Sequence, residues 1–520
     1  MSKRLAPTVV AAAFAAVYVI VSPPSLDLAA HLLRAKLFSA EGFGIWDNWW
    51  YAGHHTPGYS VLFPAFSAAL TPQLVAAIAV VATAALFELL AYEHFGADAW
   101  LGSVWFGAAT ATELFSGRLA FAFGLLPAVA TALALQRRRP VLAAAAAFLT
   151  ALCSPVAALF AALAGAAYAI GRLTGARRAV SGAWPGAAVV FAALVPVLAL
   201  AVAFPEGGTE PFATLAFAPL PVIAVAALLA LSPRERTLRT GALLYGLGCV
   251  VAWAIPSAVG GNAARLGPLV AGPLAALIWF RRRNAWLLAA ALPLLYLQWQ
   301  PAFRDVITSA GDPAGTTAYW QPLLSFLARQ PGGPFRVEIP FTQFHWEAYE
   351  VAPRFPLARG WERQLDRKYN TLFYDTPLNP STYHAWLHQL AVRFVAVSDA
   401  TLDYSAVAET RLIDTRLSYL RLVLRTRHWR VYAVADPTPL ASGAATAMSV
   451  GPDSVSLLAQ RPGNVLLRVR FTPYWALATG SGCVAPDGDF TRLSLHRAGV
   501  VRLVIRFSLA RIDARSPRCS

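Results

Sequence analysis

Across the first 300 residues of this 520-residue chain, Lys and Arg fall on alternate sides of eleven apolar stretches, and that alternation dictates how the chain lies in a membrane. Fourteen of the eighteen basic residues there stand in short clusters: Lys3-Arg4, Arg137-Arg138-Arg139, Arg172 with Arg177-Arg178, Arg234/Arg236/Arg239 and Arg281-Arg282-Arg283. Arg34, Lys36, Arg118 and Arg265 fall in the remaining connections. Cytoplasmic loops collect Lys and Arg, so the clusters mark the inside and these four mark the outside. Asp27, Asp47, Glu113, Glu206 and Glu210 share that outer face.

A span needs about 20 apolar residues. The pattern predicts spans near 5–22, 73–92, 98–114, 119–136, 140–154, 156–171, 184–204, 213–231, 240–256, 265–280 and 285–300. A signal peptide is the rival reading for 5–22. More spans follow, and no small-residue cleavage motif precedes the aromatic loop, so a retained span is expected. With 57% hydrophobic and 13% charged residues, a soluble protein is excluded. The expected product is a multi-pass protein of the cytoplasmic membrane, with its N-terminus inside and residues after 300 outside.

The outer region reads as two domains following a membrane domain of residues 1–300 with a long first outer loop, 23–72. From 301 to 440, strand-like runs (Phe335–Phe341, Val392–Val397, Trp429–Val434) alternate with helical patterns (Pro322–Arg329, Ser381–Leu390, Ser418–Arg425), which predicts an α/β domain. From 441 to 520, the runs Val455–Gln460, Asn464–Phe471, Tyr474–Thr479, Thr491–His496 and Val500–Leu509 predict a β-sandwich, with 437–443 as a hinge. The net charge of +16 is shared about equally by the two halves. On the outer half it fits a phosphate-rich neighbour such as lipid headgroups or an anionic polymer. No nucleic-acid motif is present. Cys483 and Cys519 both fall outside, which permits a disulfide.

The chemistry concentrates in the outer loops. Asp27 and His31 are four apart, on one face of a helix, and Asp27 follows the membrane exit closely. A carboxylate there is partly desolvated and more basic, as a general base for a sugar hydroxyl requires. Capping the helix is the plainer role for it. Farther along come Trp46, Asp47, Trp49, Trp50, Tyr51, His54 and His55. These aromatics read as an interfacial belt or a sugar platform. Asp47, His54 and His55 are the one candidate set for a divalent cation, and they lack a further spaced ligand. Glu113 and Arg118 stand at outer span ends as an ion pair or ligand contacts. In Gly260-Gly261-Asn262-Ala263-Ala264-Arg265, a guanidinium at a helix start suits a phosphate. Glu206 and Glu210, around Gly207-Gly208, are either a solvated turn or acidic contributors to the site. The segments Phe344–Glu350 and Arg359–Arg363 mix aromatics with charge and read as packing surfaces.

One span, a long outer loop with an early Asp, many further spans and a C-terminal outer domain resemble the GT-C superfamily of membrane glycosyltransferases. These enzymes take sugars from polyprenyl-phosphate carriers on the outer face. The resemblance implies Asp27 as the base of an inverting transfer and Arg265, with Arg118, as holders of the carrier phosphate. This chain has a solitary Asp27 where many members have Asp-Glu or Asp-x-Asp. Trp49-Trp50 is followed by Tyr51, not by the Asp of oligosaccharyltransferases, so protein N-glycosylation is not expected. The outer half is similar to that of actinobacterial-type multi-span proteins, through Arg359-Gly360-Trp361-Glu362-Arg363 and His428-Trp429-Arg430-Val431-Tyr432. Ala-rich, Arg-over-Lys usage favours a polyprenyl over a dolichol carrier.

The expected function is transfer of a hexosyl or pentosyl unit from a polyprenyl-phosphate-linked sugar to an envelope glycan or glycolipid acceptor, at the surface of membrane lipid. A lipid or glycan flippase is the first alternative. The spans hold almost no charge away from their ends, Glu88 being the nearest case, and no repeat symmetry appears, which counts against transport. A non-catalytic envelope-assembly scaffold is the second alternative.

Overall fold

The computed structural model describes residues 4–174 and 182–520. Lys3, Arg177 and Arg178 of the basic clusters lie outside the described residues. The chain divides into two compact units. One is made of residues up to 31, 58–200 and 209–310, and the other of 32–57, 201–208 and 311–520. The sequence reading placed the whole of 23–72 with the membrane domain. Residues 32–57 belong instead to the C-terminal unit, because their aromatic side chains are buried there.

The membrane unit is helical at every predicted span position: Ala6–Val21, Pro72–Phe95, Trp100–Phe115, Leu119–Gln136, Pro140–Cys153, Pro155–Leu173, Trp184–Ala203, Thr214–Phe217 with Pro219–Ala230, Arg236–Ala254, Leu266–Trp279 and Asn284–Ser309. In lipid every backbone N–H and C=O must be satisfied within the chain, and an apolar helix does this. Starts are marked locally. Thr71 and Ser154 accept the Leu74 and Ala157 N–H groups at 3.2 and 3.4 Å, each followed by a proline in the first turn, where no N–H is missed. Among the described residues, five helical stretches are long and apolar enough to cross a membrane, Pro72–Phe115 counting as one. Ala6–Val21, Pro140–Cys153 and Thr214–Ala230 are shorter apolar helices.

Small side chains let these helices approach closely. Ala143, Ala147 and Ala151 pack with Ala158, Ala161 and Ala162. Glu88 is buried, with Arg4 Nε 3.9 Å from its Oε1 and the Arg4 guanidinium 3.5 Å over the Tyr92 ring. The nearest intramembrane carboxylate is thereby matched by a cation.

The C-terminal unit begins with a four-stranded mixed sheet in the order Arg336–Glu338, Val392–Ser398, Trp429–Val434, Leu420–Arg425. The first pair is parallel and the others antiparallel. Ser418–Arg425 reads as helix in sequence and is an edge strand here from Leu420. Leu420, Leu422 and Leu424 alternate with Arg421, Val423 and Arg425, and pairing with Trp429–Val434 satisfies one side of the backbone. Arg421 and Arg425 stand exposed on it, a charge pattern that discourages further strand addition.

Two further sheets pack as a sandwich. One has the order Arg518–Cys519, Gly482–Asp487, Phe490–Leu495, Gly463–Arg470, Ala441–Gly443. The other has Trp475–Thr479, Gly499–Ile505, Ser454–Ala459, Ala445–Val450. The predicted hinge at 437–443 ends in a strand, Ala441–Gly443, paired with Val465–Leu467. Alternation fixes the interior: Val465, Leu467 and Val469 meet Leu493, Val484, Val455, Leu457, Val501 and Leu503. Trp46 of the first loop lies in this core, packed edge-on against Trp475 with centroids 6.0 Å apart.

Cys483 and Cys519 are disulfide-bonded across paired strands, 36 residues apart in sequence. Closing a loop of that length stabilises by about 4 kcal/mol in the chain-entropy account. Cys519→Ser is expected to lower the melting temperature of the C-terminal unit and to make its last strand protease-sensitive. Limited proteolysis of the full chain, with and without reductant, checks this.

Candidate functional site

In the membrane unit, Asp27 sits immediately before the helix Leu28–Glu41, its carbonyl accepting the His31 N–H at 3.1 Å. The side chain is half-buried. His31 is buried, its Nε2 3.3 Å from the Gly117 carbonyl and its ring against Tyr59 and Phe63. Gly117 has φ +76°, and a Cβ there would come within 2.4 Å of Ser25 Oγ and 3.3 Å of the Asp27 nitrogen. A glycine is therefore required for this turn to lie directly against the segment carrying Asp27.

The same turn carries Glu113 and Arg118. The Arg118 N–H donates to the Glu113 carbonyl at 2.9 Å, and its Nη1 lies 3.7 Å from Glu113 Oε2. Arg265 closes the 3-10 turn Gly260–Arg265 and stands at the N-cap of Leu266–Trp279. Its guanidinium lies 5.3 Å over the Phe121 ring. Arg118, Tyr59, Asp27 and Glu113 are the ionisable groups whose charge acts on it. Asn262 is buried on the same 3-10 turn. The expectation of free N–H groups at this helix start is corrected in one respect: the Gly267 N–H donates to the Tyr245 hydroxyl at 2.9 Å. The guanidinium, more than the backbone, is what an anion would meet here.

Tyr59 and Asp305 were not singled out from sequence. Asp305 is buried on the extension of Asn284–Ser309 beyond the predicted span end, accepts from Arg304 at 3.0 Å, and lies within electrostatic reach of Arg118. Tyr59 lies in a connecting turn and Asp305 within a helix. Glu210 also belongs to the membrane unit, its N–H donating to the Ser257 carbonyl at 2.9 Å.

Asp47, Trp49, His54, His55 and Glu206 belong to the C-terminal unit. There the aromatic loop is a structural insert. Trp50 and Tyr51 are buried, with the Trp50 indole donating to the Ala348 carbonyl and the Tyr51 hydroxyl to that of Glu362. The Trp49 carbonyl accepts the Leu357 N–H at 2.7 Å. Gly53, at φ +124°, leaves room for the Trp46 ring, which a Cβ would meet at 2.4 Å. Glu206 is a buried tether rather than a solvated turn: its carboxylate binds the His55 N–H, faces His55 Nδ1 at 2.8 Å and accepts the Tyr369 hydroxyl at 3.1 Å. Burial opposes that charge, but the histidines hold Glu206 below the ordinary carboxylate range. Asp47 accepts the Trp49 N–H at 2.9 Å, and His54 stacks on Trp50. Among the described residues, no group of three or more His, Cys, Asp or Glu side chains is arranged to hold a metal ion. The physical reason is that His55 turns to Glu206 and Thr472 while His54 lies flat on an indole.

Arg359–Arg363 and Phe344–Glu350 form the polar interior of this unit. Arg359 is fully buried between the Phe341 and Phe373 rings, bonded to Asp366 through two nitrogens and to Glu409 at 3.1 Å. Arg363 pairs with Asp403 at 2.7 Å, and Arg34 of the first loop pairs with Glu362. Burial and the neighbouring Glu409 push Glu338 well above the carboxylate range. His345 Nδ1 lies 3.4 Å from Glu347.

Burial pushes the Asp47 carboxyl up to about 7 and the His54 imidazole down to about 4. Between about pH 4 and 7 the fold keeps a proton on Asp47 that the unfolded chain releases, so this group weakens the fold as pH rises, by at most about 1.4 kcal/mol per unit. His54 has the opposite slope up to about 6.5, because the unfolded chain takes the proton. The two cancel in the native sequence. Asp47→Asn is expected to expose the His54 slope, its melting temperature rising relative to wild type between about pH 4 and 6.5. Gly117→Ala is expected to destabilise the membrane unit by about 1–3 kcal/mol through the strained φ and the Ser25 clash, read by thermal unfolding in detergent.

No family model matches the chain, and no curated protein matches it. Among solved structures it is similar to the crystal structure of ArnT from Cupriavidus metallidurans in the apo state, with 15% sequence identity and a TM-score of 0.42 over 82% of this chain and 98% of that one.

Proposed function

We propose that this chain is a membrane glycosyltransferase that moves a hexosyl or pentosyl unit from a polyprenyl-phosphate donor to an envelope glycan or lipid acceptor. Asp27 takes the proton of the acceptor hydroxyl, and the freed oxygen attacks the anomeric carbon in line. The bond from that carbon to the phosphate oxygen breaks, the electron pair leaves with the phosphate, and configuration inverts. Arg265 and Arg118 neutralise the departing phosphate, while Asn262 and Glu113 fix their surroundings. His31 and Gly117 hold the turn against which Asp27 rests. A phosphate is already a good leaving group, so positioning and fixed charge supply most of the acceleration.

The single observation that carries this reading is the company of Arg265. Its guanidinium lies over the Phe121 ring with Arg118, Asp27 and Glu113 in electrostatic range, and Arg118 in turn faces Glu113 at 3.7 Å. A base and an anion holder are what glycosyl transfer from a phosphate carrier requires. The resemblance read from the sequence points the same way.

Asp27→Asn is expected to lower kcat about 10²–10⁴-fold with donor retention unchanged. Arg265→Ala is expected to lose the polyprenyl phosphate that copurifies with wild type, read by mass spectrometry of retained lipid. Ordinary phospholipid alone in both wild type and Arg265→Ala would overturn the carrier site. Full turnover by Asp27→Asn would overturn the assignment of the base.

A further inference from the structure

The sequence Arg506-Phe507-Ser508-Leu509-Ala510-Arg511, which follows the sandwich strand Gly499–Ile505, leaves its apolar side chains uncovered. Phe507 is 48% and Leu509 76% exposed, and Arg506 and Arg515 are exposed beside them. Single exposed apolar residues are ordinary. Two within three positions, interleaved with arginines, make an amphipathic strip of the kind that enters a lipid interface.

What covers the strip follows from its neighbours in the same unit. The Phe507 ring packs on Phe204 and Tyr474, with centroids 5.7 and 5.2 Å away, and the Tyr474 hydroxyl donates to the Ala203 carbonyl at 2.5 Å. Ala203 is the last residue of the apolar helix Trp184–Ala203, which is long enough to cross a membrane. The strip is thus tied to Ala203 and Phe204, at the C-terminal end of that helix.

The charge agrees. Arg506, Arg511 and Arg518 are close enough that the first two act on the third, and the acid in electrostatic range of this corner is Asp513, through Tyr474. Arg518 Nη1 donates to the Tyr474 and Arg506 carbonyls at 3.3 and 3.2 Å, and the disulfide at Cys519 pins the adjoining residue. Arg506, Arg511, Arg515 and Arg518 outnumber Asp513 here, and that surplus of positive charge lowers its energy beside phosphate, by about 1 kcal/mol per arginine at an anionic surface.

We propose that residues 506–511, with Arg515, form a membrane-surface anchor. Phe507 and Leu509 enter the interfacial layer around the span ending at Ala203, and Arg506 and Arg515 bind the phosphates of anionic glycerophospholipids. The anchor is independent of the transfer chemistry proposed above.

Its test uses the full chain in nanodiscs, with a nitroxide at Leu509→Cys and, as a reference, at Arg421→Cys on the exposed edge strand. The native free cysteines, Cys153 and Cys249, are buried. Collision with oxygen relative to a water-soluble nickel chelate is expected to be greater at 509 than at 421. The label at 509 is expected to sink further when phosphatidylglycerol replaces part of the phosphatidylcholine. Arg506→Ala with Arg515→Ala is expected to remove that response and to cut the preference for phosphatidylglycerol roughly fivefold per arginine. Equal nickel accessibility at both positions would overturn the proposal, as would a depth at 509 indifferent to lipid charge.

Discussion

The ion pair between Arg34 and Glu362 determines where the first loop goes. Arg34 is buried and Glu362 largely so, and removing either leaves the other charge without its partner. Arg34 lies on the helix Leu28–Glu41, seven residues from Asp27 and therefore about 10 Å along the axis. Tyr51, Trp50 and Trp46 continue the attachment along the same loop.

The two units solve the problem of polar groups away from water differently. In the membrane unit, ionisable side chains gather near helix ends, where Arg118 faces Glu113, Arg137 faces Glu93 and Arg4 faces Glu88. In the C-terminal unit, Arg359, Asp366 and Glu409 are wholly buried and satisfy one another in a network closed by Tyr383 and Tyr374. Such a network specifies one arrangement, because every half-satisfied alternative strands a charge. The membrane set is less enclosed, Asp27 and Arg265 each being half-buried.

Helix and strand positions were largely legible because period alone decides them. Trp429–Val434 matches its predicted range, and Ala6–Val21 falls within a residue of its prediction at each end. Ser418–Arg425 misled because so short a mixture of Leu, Val and Arg fits a helical face as readily as an edge strand; only the partner strand decides. Long-range partners left no local trace. Nothing near Trp46 shows that it belongs in a sandwich formed more than 390 residues later, and nothing near Glu206 announces His55 or Tyr369. Of the residues in the proposed site, Asp27, Arg118 and Arg265 stood out in sequence as charges at the ends of apolar stretches, whereas Tyr59, in a connecting turn, and Asp305, within a helix, did not.

The C-terminal unit is assembled from three separate pieces of chain, and this has a consequence for how the protein comes to exist. Residues 32–57 are made early, yet the surfaces that bury Trp46, Trp50 and the Arg34 charge belong to residues after 311, synthesised last. Through most of translation the loop waits with its indoles uncovered, and the final fold depends on contacts of very high sequence separation, which form slowly. A polypeptide beginning at residue 311 would lack Trp46 from its sandwich core and both Arg34 and Glu206 from its charge network. The C-terminal half is therefore not a detachable module. It is a fold that only the whole nascent chain can complete.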